Sequence, residues 1–510
     1  MIGSAYILVV LGILIAKGLG FYRDMVFAGV FGTGVEADIY FQVFGLVNLI
    51  FTGIGVALST LVIKNLNKAE NAGNERSYAA HFLRKSTLYL FIAAVLMAVF
   101  AGPVVKIILP EISGEDYYLA VKMMYIMAPS LIFVVIAYII SGLLQNKKAY
   151  FITSVMSLPF NAVIIIALFF NNVSILTVAA VTTFGWFLHI AIQLPAFYKH
   201  GYSFIEKGNA PVNTKNKNPE ILWIFLSNMM FQLCIYIDRA FVSSSPGMAS
   251  TFNYASNLFI TISSVFIVAM STVVFPSISK NYEEGRLDYV KDLVGYIINI
   301  MTAIFIPFIL IVAFFGSDVI RLIYERGAFT SDSTSAVAAI FLMYTLSILG
   351  YTTQELFNKV LYLAGKYKYT VSGTVSIIIL NLILNYVIKV TVPKGGSLAP
   401  EIMTAASTAL LSTGYAVFIA FKMKEVIGSY ISRQTATDII KTLVSGAAAV
   451  LVYLLFGTFL PSFTHGYLTF IVPIAACGVV YIALLALTGV LEHIIKREKK
   501  GGQAENEENN

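Results

Sequence analysis

Apolar runs of membrane-spanning length recur from one end of this chain to the other, and no other feature restricts its fold as much. A span of hydrocarbon needs about 20 apolar residues wound as a helix. Backbone polar groups in lipid must be satisfied within the segment, which leaves helices or closed barrels. About fourteen such runs can be counted here. Hydrophobic residues make up 58% of the chain, charged residues only 12%, and the mean hydropathy is +0.81. The predicted class is therefore an all-α polytopic membrane protein. The expected spans are 5–30, 37–63, 83–109, 118–144, 150–170 and 175–198, then eight more after residue 221.

Charge divides the chain. Residues 199–220 are polar, rich in Lys, Asn and Gly, and read as a linker between an N-terminal six-helix lobe (1–198) and a C-terminal one (221–424). Two additional helices (425–495) and a disordered tail (496–510) follow. One set of alternate loops carries most of the Lys and Arg, among them Arg76, Arg84, Lys85, Lys147, Lys148, Lys280, Arg286, Lys366 and Lys368. Positive loops stay in the cytoplasm, which puts both termini inside. Met1 to Ala16 has neither a basic start nor a cleavage site, and counts as part of the first span rather than a leader. The halves also look related. Residues 55–62 (GVALSTLV) resemble 267–274 (IVAMSTVV), and Arg23-Asp24 has a loose counterpart in Asp238-Arg239. Six-helix repeats in one orientation point to a transporter with its site between them.

The densest chemistry lies between Lys17 and Tyr40, where Lys17, Arg23, Asp24, Glu36 and Asp38 interrupt apolar flanks. An ionisable residue at membrane depth usually faces a bundle interior or watery cavity. A short loop with Arg23 reaching the interface is the other interpretation. A guanidinium in a cavity suits phosphate, because its fork matches phosphate oxygens; a structural ion pair with Asp24 fits equally. Asp238 and Arg239 are expected at membrane depth. Asn381 and Asn385 share a helix face, suited to interhelical hydrogen bonds or, with a carboxylate, to a small hard cation. Glu325 and Arg326 precede a span as gate elements or scaffold. Glu355 and Lys359, four apart, are expected to pair. His189 is expected to be a satisfied core group. There is no enzyme signature, no phosphate-binding Gly-Lys-Ser/Thr loop, no metal-ligand spacing and no nucleic-acid motif.

Gly20-Phe21-x-Arg23-Asp24, Phe31-Gly32-x-Gly34, Asp38 and Glu325-Arg326-Gly327-Ala328-Phe329 together resemble the MurJ/MviN family. These are bacterial lipid II flippases of the multidrug/oligosaccharidyl-lipid/polysaccharide exporter superfamily. The resemblance implies two lobes around a cationic cavity, two extra helices forming a groove for a lipid tail, and alternating access in the cytoplasmic membrane. It implies an anionic lipid-linked substrate held by Lys17, Arg23, Asp24 and Asp38, with Arg239 as a compensating cation. It implies no cofactor, with Na+ as a candidate coupling ion near Asp238, Asn381, Asn385 and Thr408. Asn385 replaces a carboxylate of that pattern. Phe51 and Asn257 stand where many members carry cavity arginines, so the cationic centre is thinner. A flippase for another polyprenyl-diphosphate oligosaccharide would share these features. A drug/cation antiporter would normally lack the last two spans, and a non-transporting scaffold would leave Arg23, Asp24 and Asp38 unexplained.

Overall fold

The computed structural model describes residues 3–71, 74–206, 219–392, 399–456 and 468–494. Most of the polar linker and all of the tail from 496 lie outside them. The described residues are mostly helical, joined by short turns and without a strand, as lipid demands. Among the described residues, ten helices are long and apolar enough to cross a membrane. The pair Ser331–Leu346 and Ile348–Leu363, bent by 43°, makes an eleventh. Helices Gly3–Phe31, Pro219–Val242 and Leu468–Leu487 are also 20 residues or longer and apolar on average. With these three, fourteen helices among the described residues are candidates to span.

The first helix decides between the two interpretations of the charged stretch. Gly3–Phe31 runs unbroken through Lys17, Arg23 and Asp24, so these residues lie within a helix, not in a loop. The helix stops where Gly32 adopts φ +58° and its N–H closes on Ala28 O, a left-handed cap that a residue without Cβ enters freely. Helix Val35–Leu46 follows and passes through a π turn, Val47–Phe51, into Thr52–Asn71. A second π turn, Met270–Val274, ends helix Met248–Ala269. The two similar octapeptides therefore wind differently: 55–62 is regular α-helix, whereas 267–274 runs into the π turn.

Two compact units emerge. One comprises Met1–Thr261, Ile323–Val337 and Ile378–Ala405. Within it, the span from Tyr150 to Leu168 is broken into Tyr150–Ser154 and Leu158–Leu168. Pro159, without an N–H, cannot continue the ladder back to Val155 and so starts the second segment. The other unit comprises Ile262–Leu322, Ala338–Ile377 and Ala406–Asn510. There the last helices pack through Ala449, Tyr481, Leu485 and Val490, and Tyr481 Oη donates to Ala303 O at 2.8 Å. Lys359 lies within electrostatic reach of Glu355, as expected, and also donates to Ser271 Oγ on the π turn.

Candidate functional site: a cationic cavity in the first unit

Lys17, Arg23 and Asp24 line one cavity of about 390 Å³, together with Asn48, Asn161, His189 and Asn257. Its wall includes the break in the fifth span, at Ser154, Met156 and Ser157. Irregular backbone at membrane depth is tolerated where it lines such a space. Arg23 is held on three sides. Its Nε and Nη2 donate to Asp24 Oδ1 at 3.0 and 2.6 Å, and Nη1 donates to Asn161 Oδ1 at 3.1 Å. The guanidinium also lies over the rings of Phe44 and Phe160, 5.7 and 5.5 Å from their centroids. Asp24 accepts on its other oxygen from Asn257 Nδ2 at 3.2 Å. The pair is nearly buried, with 14% and 8% of the two side chains exposed. A guanidinium has five N–H donors, and these contacts leave two of them for a ligand. Two cations and one carboxylate line the cavity, a net positive site for an anion.

Two sequence-predicted substrate residues sit elsewhere. Asp38 does not line the cavity. Its carboxylate accepts from the backbone N–H of Gly247 and of Ser250, both at 2.6 Å. It satisfies donors left open where helix Met248–Ala269 begins, and a negative charge is stabilising at a helix N-terminus. Arg239 does not line the cavity either. It is buried, donates through Nη1 to Asn253 Oδ1 at 2.6 Å, and stacks over Tyr236. A buried guanidinium needs such partners, and these point it into the packing of Pro219–Val242 against its neighbours.

The two glycine motifs meet. Ala328 N donates to Gly29 O at 2.8 Å, and Tyr254 Oη donates to Gly32 O at 2.9 Å. Thr33 and Ser333 share a hydroxyl bond of 2.6 Å. A Cβ on Gly32 would stand 2.3 Å from Ala328 O, and one on Gly327, also at positive φ (+57°), 2.2 Å from Gly29 O. The Arg-Gly-Ala-Phe motif is thus backbone docked on backbone, sealed by Tyr254, Tyr324 and Phe329. Glu325 accepts from Thr334 at 2.6 Å, and Arg326 donates to Ile323 O. Both hold this turn in shape.

Asp238, Asn381 and Asn385 also converge, buried, as the shared helix face predicts. Both amide nitrogens donate to Asp238 Oδ1, at 3.0 and 2.7 Å. The carboxylate is thereby satisfied by N–H groups, whereas a hard cation needs oxygens turned towards a common point. In this arrangement the two amides turn nitrogen rather than oxygen towards Asp238 Oδ1. Thr408 is buried and belongs to the second unit. Among the described residues no cluster of three or more His, Cys, Asp or Glu has metal-binding geometry.

The family model for "Lipid II flippase MurJ" matches residues 27–475. The chain belongs to the lipid II flippase MurJ family. A probable lipid II flippase MurJ of Buchnera aphidicola (strain APS) is 24% identical over 391 residues, covering 73% of this chain and 75% of that protein. The probable lipid II flippase MurJ of Treponema pallidum is 23% identical over 415 residues, 77% of each chain. In fold, a solved lipid II flippase MurJ in an inward closed conformation matches with TM-score 0.78 at 21% identity, covering 95% of this chain and 99% of that one. An inward-facing multidrug resistance MATE transporter of the MOP superfamily matches with TM-score 0.62 at 14% identity, covering 84% and 99%. As a MurJ family member the chain is a multi-pass membrane protein of the lipid II flippase class, which ties it to peptidoglycan and cell-wall biogenesis.

Of the two departures from the MurJ pattern, Asn257 lies on the cavity wall and engages Asp24, while Phe51 is buried away from it. Asn161 and Asn48 belong to no sequence motif, and His189, expected as a satisfied core group, lines the cavity. Asn161 carried one signal, an amide just after a proline in an otherwise apolar span. His189 carried none, because a cavity-facing histidine and a packed one look alike in sequence.

Proposed function

We propose that this chain moves lipid II from the inner to the outer leaflet of the bacterial cytoplasmic membrane by alternating access, with both termini cytoplasmic. The diphosphate, sugars and peptide of the headgroup cannot cross hydrocarbon without losing their water uncompensated. A cavity supplies the replacement contacts while the polyprenyl tail stays in lipid. Arg23 takes the diphosphate on its two remaining N–H groups, Lys17 adds a second positive charge, and Asp24 and Asn161 fix the guanidinium plane. Preset donors of this kind cost little reorganisation when the anion arrives. The observation that carries the assignment is Arg23 itself, held by three bonds on the wall of a cavity at membrane depth.

With the N-terminus inside, the docked turns at 29–33 and 325–333 fall on the outer side. Their contacts support a state whose outer end is shut while substrate arrives from the cytoplasm. Opening them and rocking the lobes 1–198 and 221–424 completes the cycle. We assign the drive to the membrane potential, which contributes about 2.3 kcal/mol per charge per 100 mV. No cofactor enters the scheme. Complementation of a strain depleted of its lipid II flippase, with wild type and Arg23→Ala at matched expression, tests the proposal. Rescue by wild type alone supports it. Failure of well-expressed wild type overturns it in favour of another polyprenyl-diphosphate oligosaccharide.

A further inference from the structure

Behind Arg23 the cavity wall changes character, from charged groups to rings. Phe160 and Trp186 lie 4.6 Å apart between centroids, Trp186 and His189 4.7 Å, and Phe160 and His189 5.4 Å. All three line the cavity, and Phe160 carries the guanidinium of Arg23 on its face. Trp186 and His189 are three residues apart on helix Ile175–Lys199, hence on one face. They are only 4% and 3% exposed. Yet Trp186 Nε1 and both ring nitrogens of His189 have no hydrogen-bond partner. Buried polar side-chain atoms are paired in the large majority of cases, and each exception calls for an explanation. Three exceptions on two adjacent side chains, at the wall of a binding cavity, point to a missing partner.

The missing partner has a definable chemistry. Trp186 offers one donor, and a neutral imidazole offers one donor and one acceptor. A phosphate oxygen only accepts, so it cannot serve the acceptor nitrogen. A hydroxyl donates and accepts, and an acetamido group offers an N–H and a C=O. Flat rings beside such donors suit the apolar C–H face of a sugar ring. Resting on the assignment of Arg23 to the diphosphate, we infer that Phe160, Trp186 and His189 form a subsite for the amino sugar linked directly to that diphosphate. A ligand anchored by its diphosphate at Arg23 brings this sugar against the rings first, because Phe160 touches both sites. Because the nitrogens are buried in the wall, engaging the sugar's hydroxyl and acetamido groups requires the two rings to turn towards the cavity. The subsite gives the cavity a preference among anionic polyprenyl lipids that charge alone does not supply.

Binding to purified protein in nanodiscs tests this with two probes: a polyprenyl diphosphate, and the same diphosphate bearing one N-acetylated amino sugar. For wild type the sugar-bearing probe should bind more tightly, by about tenfold for each well-made hydrogen bond. Trp186→Phe keeps a ring and removes the N–H, and His189→Leu removes both nitrogens. Each should erase about tenfold of the sugar's advantage and leave the bare diphosphate affinity unchanged. Equal affinity of wild type for the two probes, or a full sugar advantage in both variants, overturns the subsite. Failure of wild type to bind the bare diphosphate, or indifference of that binding to Arg23→Ala, instead overturns the diphosphate assignment. A variant that loses affinity for both probes has lost packing, and Trp186→Phe, the milder change, then decides. Should it lose both as well, the subsite has no independent existence and is rejected.

Discussion

Replacing Asp38 with Ala should destabilise the protein without touching the cavity. Asp38 has 4% of its surface exposed, and its two oxygens take the N–H groups of Gly247 and Ser250 at 2.6 Å each. Alanine leaves both donors buried and unpaired. Each such donor costs about 1–3 kcal/mol, so the pair costs about 2–6 kcal/mol, and the favourable charge at a helix N-terminus, about 0.3–1 kcal/mol, is lost with it. Asn in the same place keeps one acceptor oxygen and should recover roughly half of the loss. Thermal unfolding in detergent, followed by tryptophan fluorescence, should rank wild type above Asp38→Asn above Asp38→Ala. Diphosphate-lipid binding, measured well below the unfolding transition, should stay the same in all three. Unchanged melting with abolished binding in Asp38→Ala would refute the capping role and return Asp38 to the substrate.

Three further outcomes follow from the same contacts. Gly32→Ala forces a side chain into a left-handed conformation, at about 1–2 kcal/mol, and drives a Cβ to 2.3 Å from a carbonyl oxygen; it should lower the melting temperature, and an unchanged melt would mean that the 29–33 and 325–333 turns are not docked as described. Asn161→Ala removes the bond that fixes Arg23 Nη1 and should weaken diphosphate-lipid binding by about tenfold, measured by titration, and Asn161→Asp, which sets a second carboxylate against Arg23 and cancels the net positive charge of the cavity, should weaken it further. Because Asp238 is satisfied by two amides, transport in proteoliposomes should proceed equally in Na+ and in choline media under an imposed potential; a sodium requirement abolished by Asp238→Asn would contradict this.

The spans and their helical nature were legible because lipid leaves the backbone no other economical option. The charged stretch was legible as important but not as helix or loop, since local pattern is the same for a cavity lining and an interfacial turn. Gly3–Phe31 settles it by carrying Lys17 and Arg23 through without a break. The resemblance ties Asp38 to the substrate, and sequence cannot show its backbone partner, which lies 209 residues away at Gly247. For Arg239 the helix period places Tyr236 one turn away, but only folding reveals Asn253 beside it. The pairing of Asp238 with Asn381 and Asn385 was half visible: spacing gave the shared face, but not whether amide oxygens or nitrogens would point at the carboxylate. The Arg-Gly-Ala-Phe motif looked like a loop signature, and its glycine proved to be a contact point between two backbones.

The account rests on Arg23 as the anion grip of a translocating cavity, and one measurement addresses that directly. Purified wild type, Arg23→Lys and Arg23→Ala would be reconstituted in proteoliposomes with fluorescent lipid II, and the fraction crossing the bilayer followed with a membrane-impermeant quencher. Wild type should translocate under an imposed potential, Arg23→Lys should be slowed because a point charge lacks the guanidinium fork, and Arg23→Ala should fall to the protein-free rate. Translocation by Arg23→Ala at the wild-type rate, with folding and reconstitution matched, would contradict the account.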